Sequence, residues 1–169
     1  EYAERPDRQA WVRECWETAK ALDPTRLVED NSPCLYDHVV TDINSWHFYI
    51  NDYERARDHL AEVVANTYPG STFNFVGGNT QGNQPLLNSE YGGISARMGD
   101  LDVSWCLLFL TNELRKHERV CGYVYTELTD IEWECNGLYN YDRSAKEFGY
   151  DPALLLGAEF IGFDCAPGL

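Results

Sequence analysis

Pro85-Leu86-Leu87-Asn88-Ser89-Glu90-Tyr91-Gly92-Gly93 is the stretch that decides the fold. The apolar run predicts a short buried strand over Pro85 to Asn88, since successive apolar residues leave no face for water. At its end come an amide, a hydroxyl, a carboxylate and a phenol, and then two glycines. A strand end holds a carboxylate in a fixed place. Glycines beside it let a ligand or another backbone approach closely. The plain alternative for Glu90 is an acid at a helix N-terminus. The next helix is predicted only from Leu101, which weakens that alternative.

Outward from this strand, helices and strands alternate. Trp11, Val12, Cys15, Trp16, Ala19 and Leu22 follow helical spacing and predict a helix over Arg8 to Leu22, with Asp7 as its N-cap and Asp23-Pro24-Thr25 as its stop. Leu27 to Asp30 reads as a short strand, and Val39 to Tyr49, or part of it, as a second. Asp52 to Ala65 predicts a helix with Tyr53, Ala56, Leu60, Val63 and Val64 inward, ended by Tyr68-Pro69-Gly70. Gly77 to Asn83 is a loop. Leu101 to His117 predicts a helix with Val103, Cys106, Leu107, Leu110 and Leu114 inward. Val120 to Leu128 is a strand, Thr129 to Asp151 is turn-rich, and a last helix is expected after Pro152, over Ala153 to Glu159. Alternation of this kind argues for a parallel sheet covered by helices. Four strands are too few for a closed eight-stranded barrel of ~250 residues. The choice is an open doubly wound sheet or part of a barrel.

The chain has 169 residues with 44% hydrophobic, enough for one domain with a core. No apolar run reaches the ~20 residues of a membrane helix, so no membrane partner is expected. The formal net charge of −15 repels phosphates and anionic lipid heads, which argues against nucleic acid and for a neutral or weakly charged ligand. The first residues carry neither a Met nor a signal-peptide pattern, which points to a piece of a longer chain. The six cysteines, Cys15, Cys34, Cys106, Cys121, Cys135 and Cys165, form no Cys-x-x-Cys pair. Cys15, Cys106 and Cys121 are expected as buried thiols, with a lean towards a reducing, cytoplasmic compartment.

In parallel α/β folds functional residues gather at the C-terminal strand ends. Here those ends carry Glu29, Asp30 and Asn31; His47 and Tyr49; Asn88, Ser89, Glu90 and Tyr91; and Thr126, Glu127, Thr129 and Asp130. Such a rim suits sugar hydroxyls, though for any one of these residues taken alone a cap or loop role is the better reading. The glycines of Gly77 to Gly82 lack the Gly-Lys-Ser/Thr of a phosphate loop. Asn112-Glu113 lies within a helical pattern and reads as a solvated flank. His38, His47, His59 and His117 have no metal-ligand spacing, so neither metal nor cofactor is expected.

Four segments in order resemble glycoside hydrolase family 2, which includes β-galactosidases, β-glucuronidases and β-mannosidases. Lys20-Ala21-Leu22-Asp23-Pro24-Thr25-Arg26 is similar to the stretch before its fifth barrel strand. Asp42 to Tyr49 is similar to the sixth strand, Pro85 to Gly92 to the seventh, and Gly122 to Asp130 to the eighth. Asn136-Gly137-Leu138 and Asp142 to Lys146 resemble the loop that follows. The resemblance covers roughly residues 8 to 151. It implies a partial (β/α)8 barrel, about strands 5–8 with their helices, forming a single domain over 1–169. It also implies a retaining O-glycosyl hydrolase with Glu90 as nucleophile and Tyr49 hydrogen-bonded to it. Asn31, His47, Tyr91, Glu127 and Asp130 would bind the carbohydrate.

Two departures stand against this pattern. The family's acid/base Glu, in an Asn-Glu pair ending the fourth strand, has no counterpart. Tyr125-Thr126-Glu127 also occupies the region where a sugar-site Trp is usual. The isolated chain is therefore expected to be inactive, and to need the missing N-terminal half-barrel or to self-associate. A non-catalytic carbohydrate-binding or pseudo-enzyme module is the alternative. An unrelated doubly wound protein binding a small ligand is a third reading.

Overall fold

The computed structural model describes residues 2–33, 36–50, 52–92 and 103–146. In chain order its elements are α1 (Pro6–Leu22), β1 (Asn44–Phe48), α2 (Tyr53–Asn66), β2 (Leu86–Gly92), α3 (Val103–Arg115) and β3 (Val120–Thr126). The strands form one parallel sheet in the order β1-β2-β3, so the fold is α/β, a partial TIM barrel. The helix expected over Ala153 to Glu159 lies outside the described residues.

Two compact units are distinguished. The first comprises the described residues of Glu1–Phe48, Asp58–Glu90 and Leu114–Val124. It holds β1, residues 86–90 of β2 and 120–124 of β3, and a core that includes Val12, Val39, Trp46, Phe48, Leu60, Val63, Phe75 and Leu86. Helix α2 forms because Ala56, Leu60 and Val63 recur at helical spacing, and all three are fully buried. Its last carbonyls are taken by Arg119, whose guanidinium donates to Val64 O at 2.8 Å and to Thr67 O. A cation there satisfies orphan acceptors and opposes the helix dipole. Gly77 and Gly78 take positive φ of 64° and 76° in the loop before β2. That loop is docked on α1, where Arg13 Nη2 donates to Asn79 Oδ1 at 2.9 Å. Its glycines therefore serve a turn.

The second unit comprises the described residues of Tyr49–Arg57, Tyr91–Glu113 and Tyr125–Leu169. Leu107 of α3 and Leu138 form a buried pair, with Leu108, Tyr125 and Tyr139 packed against it. At Gly92 a Cβ would stand 2.0 Å from Thr126 O and 3.3 Å from the Tyr49 ring, so a side chain has no room there.

Several expectations are corrected. Leu27 to Asp30 is not a strand. Its neighbours' main-chain amides go to side chains instead of a ladder: Val28 N donates to Asp42 Oδ2 at 3.0 Å, and Asp30 Oδ2 accepts from Val39 N and Val40 N at 2.7 and 3.0 Å. Of the four strands expected, three are therefore present among the described residues. Strand β2 runs on to Gly92, so Glu90 lies within it and not beyond its end. Asp7 does not cap α1. The N-cap is Arg5, Pro6 opens the helix, and Asp7 instead pairs with Arg5 at 3.0 Å. Of the apolar face expected on α1, Val12 is buried, whereas Trp11 is 62% and Leu22 82% exposed. Cys15 and Cys121 are exposed thiols, and Cys106 is buried as expected. Glu113 is buried and only Asn112 is solvated, because Glu113 shares the inward side of α3 with Leu110 and Leu114.

His59 of α2 sits against the Phe48 ring, 5.1 Å between centroids, with its Nε2 3.1 Å from Tyr36 Oη. Burial holds its imidazole below the usual histidine range, and Glu62 opposes that only in part. The unfolded chain therefore binds a proton more readily than the folded one. Stability should be full above about pH 6.5 and fall as the pH drops below that unfolded value. Urea unfolding at pH 7.5 and pH 5.5 measures this, and His59→Gln should reduce the difference.

Candidate active site

Glu90 lies in β2 of the first unit, next to β1 in the sheet. His47 Nδ1 of β1 lies 3.3 Å from Glu90 Oε2. The two side chains are 12% and 34% exposed, so the carboxylate faces an opening while the imidazole is largely covered. Adjacent positions are tied to the same strand pair. Asn88 Nδ2 and Ser89 Oγ both donate to Trp46 O, at 3.0 and 3.2 Å. Ser89 Oγ also lies 2.7 Å from Ser32 Oγ, which brings the 29–33 segment alongside β2.

That segment carries Asn31. Its main-chain N–H donates to Asp30 Oδ1 at 2.9 Å, and its carbonyl accepts from Ser45 Oγ at 3.4 Å. The side-chain Nδ2 is covered and has no hydrogen-bond partner among the described residues. An unmet buried amide donor is costly unless a ligand oxygen or water satisfies it. The Asn31 amide thus keeps one donor that the described residues do not use.

Beneath the segment lies a polar network. His38 Nδ1 is 2.5 Å from Asp30 Oδ1, and both side chains are fully buried. His38 Nε2 lies 2.8 Å from Ser45 O and 3.0 Å from Ser45 N, and the Nδ1 side faces the acceptor oxygens of Asp30. Ser45 Oγ is 3.4 Å from His38 Nε2 and donates to Glu29 Oε1. The connectivity Ser45–His38–Asp30 imitates a nucleophilic triad. However, Ser45 is 0% exposed and its hydroxyl is committed to Glu29, so no substrate carbonyl reaches it. The network holds the loop.

The remaining residues singled out belong to the second unit. Tyr91 is buried, with its hydroxyl 2.5 Å from Thr111 Oγ1 and its ring edge-on to Tyr125. This corrects its reading as a sugar ligand: the phenol is spent inside the core. Asp130 Oδ1 accepts from Lys146 Nζ at 2.7 Å and from Gly137 N at 2.8 Å. It braces the loop after β3, and Lys146 also donates to Cys135 O at 2.9 Å. Tyr49 is 38% exposed. Glu127 follows β3 directly, with Oε1 covered. Sequence reasoning missed the Ser32–Ser89 contact and the role of Lys146. Nothing in the local pattern marks either, because both depend on segments far apart in the chain. Among the described residues, no cluster of His, Cys, Asp and Glu could hold a metal ion.

The fold is like that of family 2 glycoside hydrolases, on the likeness to the solved structures that follow. No family model matches the sequence. No curated protein matches it either. Likeness is found among solved structures. One is the family 2 β-galacturonidase of Eisenbergiella tayi bound to galacturonate, with TM-score 0.66 and 16% identity over 86% of this chain and 30% of that one. Another is the β-glucuronidase of Bifidobacterium dentium complexed with coumarin-3-O-glucuronide, with TM-score 0.61 and 18% identity over 86% of this chain and 26% of that one. A third is a Faecalibacterium prausnitzii β-glucuronidase, with TM-score 0.58 and 17% identity over 87% of this chain and 28% of that one. This chain thus spans less than a third of the proteins it resembles.

Asp30→Ala would strand the His38 Nδ1–H and the Val39 and Val40 amides in a dry interior. We expect a loss of about 3 kcal/mol or more in urea unfolding. A loss under about 1 kcal/mol would mean that water or rearrangement satisfies these groups.

Proposed function

We propose that this chain carries the nucleophile, Glu90, of a retaining glycoside hydrolase that cleaves O-glycosyl bonds through a covalent glycosyl-enzyme intermediate. The observation that supports it best is a partly open carboxylate on a barrel strand, beside His47, in a fold shared with glycosidases. In such a reaction a Glu90 oxygen bonds to the anomeric carbon, and the bond to the leaving oxygen breaks with its electron pair. A second carboxyl, about 5–5.5 Å from the first, protonates that oxygen and later takes a proton from the attacking water. The resemblance puts that second carboxyl in an Asn-Glu pair that ends a strand, and this sequence has no pair so placed. Glu113, in the sole Asn-Glu pair of the chain, is buried in a helix and unsuited to the task. Asn31 would donate to a sugar hydroxyl. Roles for Tyr49 and Glu127 rest on the resemblance. The similar enzymes take uronides, but a net charge of −15 favours an uncharged or weakly charged sugar here.

An activated glycoside tests this without the missing acid, because a dinitrophenolate leaves unprotonated. With 2-deoxy-2-fluoro dinitrophenyl glycosides, neutral and uronic in parallel, mass spectrometry should find an adduct on the peptide containing Glu90. Glu90→Gln should abolish it, and natural glycosides should be hydrolysed poorly or not at all. An adduct elsewhere, or hydrolysis that survives Glu90→Gln, would sink the assignment. Sugar binding indifferent to Glu90→Gln, with no adduct, is what the binding-module alternative expects.

The same reading accounts for the open face of α1. Trp11, Cys15 and Leu22 line a surface groove with Glu14, Thr18 and Ala19. We propose that the rest of a barrel covers it, or, without that, a second copy of this chain. Light scattering should show a dimer or larger species that Trp11→Glu with Leu22→Glu returns to monomer. A wild-type monomer at ~100 µM would count against it, since that concentration matches a binding free energy of about 5.5 kcal/mol.

A further inference from the structure

We propose that a cavity at the amino-terminal end of the sheet binds a small organic monocarboxylate, with the Arg13 guanidinium on its carboxyl group. The proposal does not rest on the nucleophile reading of Glu90. The cavity lies within the first unit and measures about 350 Å³, near the lower end of the roughly 300–1,000 Å³ of ligand pockets. Its walls come from α1, from residues 39–41, which lead into β1, and from the 75–84 segment, which leads into β2. Glu90 lies towards the other end of β2.

Arg13 is the one charged residue of the lining. Its Nη2 donates to Asn79 Oδ1 at 2.9 Å, a neutral acceptor, and no carboxylate among the described residues pairs with it. That is unusual ground in a chain of net charge −15. Asn79 is itself pinned, since its Nδ2 and its main-chain N–H both donate to Val76 O, at 2.7 and 3.2 Å. The guanidinium is therefore held in place with N–H donors to spare, and a planar fork of that kind matches a carboxylate. The loop adds further donors. The main-chain N–H groups of Gly78 and Thr80 make no hydrogen bond among the described residues, and both residues line the cavity. Nothing stands within 4 Å of where a Gly78 Cβ would be, so a ligand oxygen can reach the backbone there. The rest of the lining sets the body of the ligand. Val39 and Phe75 are buried and apolar. The Gln84 amide is spent on Thr41 O and on Gly82 N, at 3.2 and 2.6 Å. Such a wall suits a short alkyl chain. A phosphate dianion would find no second cation and would meet a doubled repulsion from the acidic surface, so a monoanion is the better fit.

Butyrate, its uncharged counterpart butyramide and inorganic phosphate are the probes, each titrated at low salt into the full chain labelled with nitrogen-15. Butyrate should shift the Gly78 and Thr80 amide signals saturably. Butyramide should bind at least about tenfold more weakly, as for loss of one charge-assisted contact. Phosphate should also bind more weakly than butyrate. Arg13→Gln, whose amide can still donate to Asn79, should cut butyrate affinity about tenfold or more while the unfolding midpoint holds. Thr80→Glu, at the exposed rim, supplies a carboxylate of the protein's own and should abolish binding. It tests the site even if the Arg13 variant fails to fold. No saturation by about 100 mM butyrate overturns the site. So do shifts that spare Gly78 and Thr80, or equal butyrate affinity in Arg13→Gln, or butyramide binding as tight as butyrate. Phosphate binding tighter than butyrate overturns the choice of a monocarboxylate.

Discussion

A buried carboxylate cannot stay ionised without donors, and Asp30 is surrounded by them. His38 Nδ1 and the main-chain N–H groups of Asn31, Val39 and Val40 all point at it. Charged groups in a dry interior are tolerated only when their lone pairs are met in this way. The result is a loop folded around one side chain. Through His38 and Ser45 it is locked to β1, the strand that carries His47. Through Ser32 it touches β2, the strand that carries Glu90. The place of each candidate group in the first unit depends on that one desolvated acid.

Where the sequence was legible, period and burial agreed. Helix α2 shows its inner face as Ala56, Leu60 and Val63, and α3 as Cys106, Leu107, Leu110 and Leu114. Helix α1 has the same spacing, but Trp11 and Leu22 stay open. Periodicity reports a face that wants cover, not whether the described residues provide it. Leu27 to Asp30 failed as a strand for another reason. Two apolar residues lead into two acidic ones, and Asp30 takes main-chain amides that a partner strand would need. Side-chain competition of that kind depends on residues some ten positions away, beyond any local pattern.

The site was legible in the same uneven way. Glu90 stood out because a carboxylate follows an apolar run and precedes glycines. That signal survives the extension of β2, since Gly92 is the position at which a side chain has no room. Tyr91 looked equally well placed and is core. Neighbours on a strand point to opposite faces, and one residue of register separates a rim from an interior. Asp130 looked like a sugar ligand and braces a loop, with a lysine that only the fold brings to it.

Arg119 bears on how such a chain assembles. It stands one residue before β3 and reaches back 55 and 52 positions to Val64 and Thr67. Contacts of that sequence span raise contact order and are closed late, after the loop entropy between them is met. During synthesis the end of α2 is served first by the nearby Thr67 and Ser71 hydroxyls, and Val64 O and Thr67 O gain the guanidinium only once Arg119 has emerged. The clamp thus ties completion of the helix end to arrival of the segment that leads into β3.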